Sequence, residues 1–498
     1  MNTDLERRAD ATVFPGFSGT AVPDWLRRRI AEGVRGVVLY HDNMAGPEAL
    51  ARLTAGLRAE RADLLIALDE EGGDVTRLHL AEGSPWPGNL ALGAAGDPEL
   101  TREVAHSIGT TLAGLGVNVD LAPVVDVNTA AGNPVIGTRS FGAEPESVAA
   151  HGAAYVRGLQ ATGVAGCAKH FPGHGSTVVD SHHDLPVVAE DREAFEAVAL
   201  PPFRAAIEAG VAAVMTAHIR LPAYDDVPAT ISRAVLTGLL REQLGFDGLV
   251  ITDSLEMHAV CDRYGIAGTA VRALAAGADA LCVGTHRGEA RARMLREEIT
   301  AAVRRGELTE ERLTQAARRV EVLAERFAPG RSSGSIDGAP DRSSLTAARR
   351  ALTSADLVPL TAPPLVIELH DEPTPAIGAT AWGLGALLAD RLSGTTVVHT
   401  DADAVPPPDP NRPLLLVVRD LHRRPRTAAV VADLLAARPD AVLVEMGLPR
   451  YRPPQGTAFL ATRGASRVSA LAAVEVLTGR RGPAPVSTAG PAARRERG

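Results

Sequence analysis

The sequence predicts an α/β fold: a (β/α)8 barrel of the TIM type, followed by a smaller α/β sandwich. Three observations carry this expectation. Short apolar runs alternate with longer amphipathic segments over residues 11–327, nearly every one of those runs ends in polar residues, and a stretch rich in Gly, Ser and Pro then precedes a second, shorter series of the same kind.

The strand candidates are the runs at 11–17 (ATVFPGF), 36–43 (GVVLYHDN), 64–73 (LLIALDEEGG), 117–127 (VNVDLAPVVDV), 166–175 (GCAKHFPGHG), 212–221 (AAVMTAHIRL), 248–257 (GLVITDSLEM) and 278–285 (ADALCVGT). Between them, 46–60, 98–114, 146–162, 191–210, 233–244 and 266–276 read as helices, with a further basic helix near 308–328. Eight such units within roughly 300 residues meet the requirement of a closed parallel barrel, whose carboxyl strand ends converge on one face. A doubly wound sheet would instead gather its polar groups at one switch point. The barrel is therefore assigned to 1–327. Residues 328–344 (APGRSSGSIDGAPDRSS) bury too little to fold and read as a linker. The sandwich is assigned to 345–480, and the tail 481–498 is expected to be disordered.

A chain of 498 residues, 45% hydrophobic but only 3% aromatic, suits two or three α/β domains built on Ala, Val and Leu. The formal charge of −9 comes without a basic stripe, which excludes nucleic acid as an expected partner. The N-terminus has no apolar signal core and no run approaches the roughly 18 apolar residues of a membrane span, so no membrane partner and a cytoplasmic location are expected. Cys167, Cys261 and Cys282 stand in or beside apolar runs and read as buried thiols.

Among 51 Lys and Arg residues, Lys169 is the sole lysine. A compact ammonium on a thin stem fits a crowded pocket that a planar guanidinium cannot enter, whereas a chance survivor would sit on the surface. Asp253 follows an apolar strand and could attack an electrophilic carbon; a helix N-cap is the other role open to it. Asp180 and His182 stand two apart, so an extended loop can place them on one side, the carboxylate orienting the imidazole; both could equally cap a loop. Asp69 can accept from vicinal hydroxyls, with Glu70 and Glu71 as solvated neighbours. Arg139 can donate to an oxygen-rich ligand or form a surface ion pair. Donors and acceptors around one mouth suit a neutral, hydroxyl-rich molecule such as a sugar. A metal reading of His170, His174, His182 and His183 with Asp180 and Asp184 lacks a recognised ligand spacing and places a lysine beside one ligand. No cofactor is therefore expected.

The run KHFPGHGSTVVDSHHD resembles the signature K-H-[FI]-P-G-H-G-x(4)-D-x-H of the β-N-acetylglucosaminidase branch of glycoside hydrolase family 3. LDEEGGDVTR, NPVIGTRSFG, PATIS and LGFDGLVITDSLEM resemble the family's companion motifs in the same order, from about residue 11 to 325. The resemblance implies a retaining exo-acting hydrolase of terminal β-linked N-acetylglucosamine, acting on peptidoglycan-derived fragments. Asp253 would be the nucleophile, His182 the acid/base and Asp180 its partner, while Asp69, Arg139, Lys169 and His170 would hold the sugar. One departure is Asp74, where many relatives carry arginine. The other is an imidazole in place of a second carboxylate. It repels anions less, which keeps a glycoside phosphorylase as an alternative; a non-catalytic sugar-binding protein is the alternative of another class.

Overall fold

A computed structural model describes residues 4–181, 184–328, 340–370 and 377–479. Eight short parallel strands form the barrel: β1 (Val13–Pro15), β2 (Gly36–Val38), β3 (Leu65–Leu68), β4 (Val119–Asp120), β5 (Ala165–Phe171), β6 (Ala213–Thr216), β7 (Leu249–Thr252) and β8 (Leu281–Val283). Strands β2 to β7 hydrogen-bond in sequence order, and β1 pairs with β8. Ile251 bridges to Ala280, joining β7 to β8. The last seam is sealed by packing: the Phe14 ring of β1 lies where a side chain on Gly36 of β2 would be, 2.3 Å from that Cβ position, so only glycine lets the two strands meet.

Apolar side chains alternate along these strands and fill two spaces. Val38, Leu65, Cys167, Met215 and Ile251 point into the barrel, whose amino end is plugged by Val320 and Leu323 of the helix Glu310–Arg326 and by Phe327 just after it. The opposite strand faces join Leu, Val and Ala of the surrounding helices in the larger outer core. The helices expected at 98–114 and 266–276 span Pro98–Gly114 and Ile266–Ala276. Asp97 caps the first through a 3.1 Å bond to the Glu99 amide. Cys167 and Cys282 are buried, but Cys261 is only partly so, because it lies on the short helix His258–Tyr264 outside the barrel wall.

The second sheet contains β9 (Thr353–Ala355), β10 (Leu365–Leu369), β11 (Thr396–Thr400), β12 (Leu414–Val418), β13 (Val442–Glu445) and β14 (Ala458–Ala461), in the order β11-β10-β12-β13-β14-β9. All neighbours are parallel except β9, which runs against β14. Sequence reading found neither β9, which is short and fully exposed, nor β14. The segment read as linker ends early: Asp341 caps the Ser344 amide at 2.7 Å, and the helix Arg342–Ala351 starts there with Ser344 buried. The remainder of that linker, most of its length, and the tail lie outside the described residues.

The second sheet's loops and the helix Arg342–Ala351 rest on the barrel domain. The Ala381 amide donates to the Leu80 carbonyl at 2.8 Å, Arg423 Nη1 to the Asn133 carbonyl at 2.6 Å, and Arg350 pairs with Asp97 at 2.8 Å.

Candidate active site

Several strands stay apolar until near their carboxyl ends and then release a polar group. Asp69 directly follows β3, Lys169 and His170 lie near the end of β5, and Asp253 directly follows β7. With Arg139, these residues line one cavity of about 730 Å3, a size suited to a small ligand. Ser181 lines it too, next to Asp180, while His182 lies outside the described residues. Gly378 and Ala379 of the second sheet's loops complete the wall.

Lys169 is 1% exposed, so it is no surface survivor. Its Nζ bridges two carboxylates, Asp69 Oδ1 at 2.7 Å and Glu71 Oε1 at 2.8 Å. Arg139 is also buried and grips both oxygens of Glu71, through Nε at 2.9 Å and Nη2 at 2.7 Å. Burial by itself would raise both carboxyls. The Lys169 charge outweighs it at Asp69, aided by Arg77, and holds that group well below its ordinary range. Arg139 and Lys169 likewise hold Glu71 down at about 2. The same pairs push Lys169 and Arg139 upward, so all four groups stay ionised at neutral pH.

Glu70 and Glu71 are not solvated neighbours, because both are buried. Glu70 points away from the cavity, where its Oε2 accepts from the Thr76 hydroxyl at 2.8 Å and from the Arg77 and Leu78 amides at 3.0 and 3.1 Å. It fixes the loop that carries Glu71 and Arg77. Burial pushes its carboxyl up to about 7.

His170 Nδ1 lies 2.8 Å from Asp126 Oδ2, and Nε2 faces Arg139 Nη2 at 3.4 Å. A guanidinium can only donate, so these partners assign the neutral tautomer with its proton on Nδ1. His174 is held on both sides, by Thr177 at 2.7 Å and Ser181 at 3.1 Å, and burial lowers it to about 4. These imidazoles brace the loop leading to Asp180 and His182; their ring nitrogens are engaged with protein groups rather than converging on a metal.

Asp253 is not a helix cap, since the next helix begins after Met257. Its Oδ1 accepts from the Ser254 amide at 2.7 Å. Below it, His218 joins Thr230 of the PATIS motif at 2.8 Å to the Ser254 carbonyl at 2.9 Å, fixing the turn that presents the carboxylate. Asp74 turns away from the cavity. It accepts from Thr138 at 2.6 Å and the Ala465 amide at 2.8 Å, and pairs with Arg419 at 3.1 Å, so it fastens the second sheet's loops to the barrel.

Sequence reasoning missed Glu71, Asp126 and His218. The signals were present: Glu71 stands two residues beyond Asp69, and Asp126 and His218 end apolar runs as the chosen residues do.

Residues 22–323 match the model of the glycosyl hydrolase family 3 N terminal domain. A β-hexosaminidase of Thiobacillus denitrificans is 40% identical over 281 residues, covering 54% of this chain and 77% of its own. β-Hexosaminidase A of Pseudoalteromonas piscicida is 37% identical over 284 residues and covers 52% of this chain, which spans about half (47%) of that longer protein. The solved glycoside hydrolase family 3 β-N-acetylglucosaminidase from Paenibacillus sp. str. FPU-7 superposes with a TM-score of 0.85 at 35% identity, over 96% of this chain and 97% of that one. The site belongs to a barrel-type glycoside hydrolase. The chain belongs to glycosyl hydrolase family 3.

Proposed function

We propose that the protein is a retaining exo-β-N-acetylglucosaminidase. The observation that carries this reading is the shared cavity in which Asp253 meets the ion-balanced set Asp69, Lys169, Glu71 and Arg139. Its cations are already paired, so the cavity favours a neutral polyhydroxyl ring over an anion.

In this proposal the Asp253 carboxylate attacks the anomeric carbon while protonated His182, oriented by Asp180, gives its proton to the departing glycosidic oxygen. Water then gives a proton to His182 and attacks the same carbon, releasing Asp253 and a sugar of retained configuration. Asp69, Arg139, Lys169 and His170 hold the non-reducing sugar. The natural substrates proposed are peptidoglycan-derived fragments met in the cytoplasm; no helix among the described residues is long and apolar enough to cross a membrane.

The test is turnover of an aryl β-N-acetylglucosaminide with and without phosphate, with the products quantified. Free N-acetylglucosamine as the first-formed β-anomer in both buffers supports the hydrolase. Phosphate-dependent sugar 1-phosphate would make the protein a phosphorylase, and no product would make it a sugar-binding protein. His182→Ala should slow poor leaving groups far more than activated aryl ones; equal losses would remove its acid role.

A further inference from the structure

We infer that Glu368, His370 and His399 form a binding site for a divalent cation of the zinc class, on the second sheet and apart from the catalytic groups. Alternation at the end of β10 places Glu368 and His370, one residue past the strand, on one face. Parallel pairing sets Glu368 opposite His399 on β11, the edge strand. The three side chains therefore converge at the carboxyl end of the sheet, with one ligand atom from each lying within 4.8 Å of the others.

The spacing suits a tetrahedral ion. Ligand bonds of about 2.0–2.2 Å set neighbouring ligand atoms about 3.3 Å apart. Glu368 Oε2 lies 3.0 Å from His399 Nδ1 and 3.6 Å from His370 Nε2, on either side of that value. The second of these separations is too long for a hydrogen bond, and His370 Nε2 is a buried atom with no hydrogen-bond partner among the described residues. An ion between the three groups would satisfy it.

The surroundings orient the ligands. Glu368 Oε1 accepts the Leu384 and Gly385 amides at 2.8 and 2.7 Å, which aims Oε2 at the imidazoles. The Trp382 ring rests against His370 at 4.3 Å and limits its rotation. His399 is exposed, which leaves a path for the ion. Two imidazoles favour zinc over magnesium, which takes oxygen ligands.

The test is equilibrium dialysis of the full chain against Zn2+, with Mg2+ as comparison. One Zn2+ should bind per chain without Mg2+ competing. Glu368→Gln, which keeps an oxygen for the two amides, and His399→Gln, at an exposed position, should each weaken binding at least about tenfold. His182→Asn, in the catalytic loop, should leave it unchanged. Absence of Zn2+ binding overturns the assignment, as does parental affinity in either of the first two variants or loss of binding in His182→Asn.

Discussion

Both ends of the barrel bury charge, and they finish it differently. At the amino end Asp279, fully buried just before β8, is surrounded by Arg241 at 2.5 Å, Arg319 at 3.3 Å and Arg312, with the Val250 amide at 3.0 Å. The helix Glu310–Arg326 closes over that end. At the carboxyl end the cluster of Asp69, Glu71, Lys169 and Arg139 is just as tightly paired, yet it faces an open cavity beside Asp253. The same physics yields stability where chain covers the charges, and a binding surface where loops leave them accessible.

Substitutions at the two ends should therefore separate activity from stability. Asp253→Ala has the largest expected effect: kcat/KM falls at least about ten-thousand-fold while the melting midpoint hardly moves. Residual turnover within tenfold of the parent would remove Asp253 from the chemistry. Asp279→Ala should do the reverse, costing about 3 kcal/mol in denaturant titration because three arginines lose their anion, with kcat per folded molecule unchanged. Lys169→Arg is expected to lie between, with kcat/KM down about a hundredfold, mainly through KM, since a guanidinium cannot sit between Asp69 and Glu71. An unchanged KM would contradict the crowding.

The smallest expected effect contrasts two adjacent residues. The Glu70 carboxyl is raised from 4.5 to about 7 in the folded protein, so the folded state binds its proton more tightly than the unfolded chain. Its contribution is present below the unfolded value and is lost as pH rises towards 7. Glu71, lowered to about 2, contributes above its unfolded value of 4.5 and loses that contribution as pH falls. Glu70→Gln should therefore flatten part of the decline in melting midpoint between pH 5 and about 7. A parallel pH profile would show that Glu70 does not titrate there.

Much of the site was legible because strand ends are local in sequence. ALDEEGG, CAKHFPGHG and VITDSLEM each show where apolar character stops, and that boundary is where a barrel opens. What was illegible was partnership. Glu71 looks like any exposed glutamate until Arg139, 68 residues away, closes on it. The signature supplied His170 but not Asp126, whose carboxylate holds that ring from the segment that follows β4. Asp74 stood out only as a departure, and its partners Arg419 and Ala465 lie in loops of the second sheet.

By itself the sequence determined the alternation of strands and helices, the barrel followed by a second α/β unit, and the polar residues at each strand's end. Those features follow from side-chain periodicity and from where apolar runs stop, which are properties of neighbouring residues. The tertiary structure alone decided which carboxylates pair with Lys169 and Arg139, which way Glu70 and Glu71 turn, how Asp74 fastens the second sheet's loops, and how Glu368, His370 and His399 converge. Charges interact through space within a few ångströms, and only the closed fold brings groups from distant parts of the chain that near.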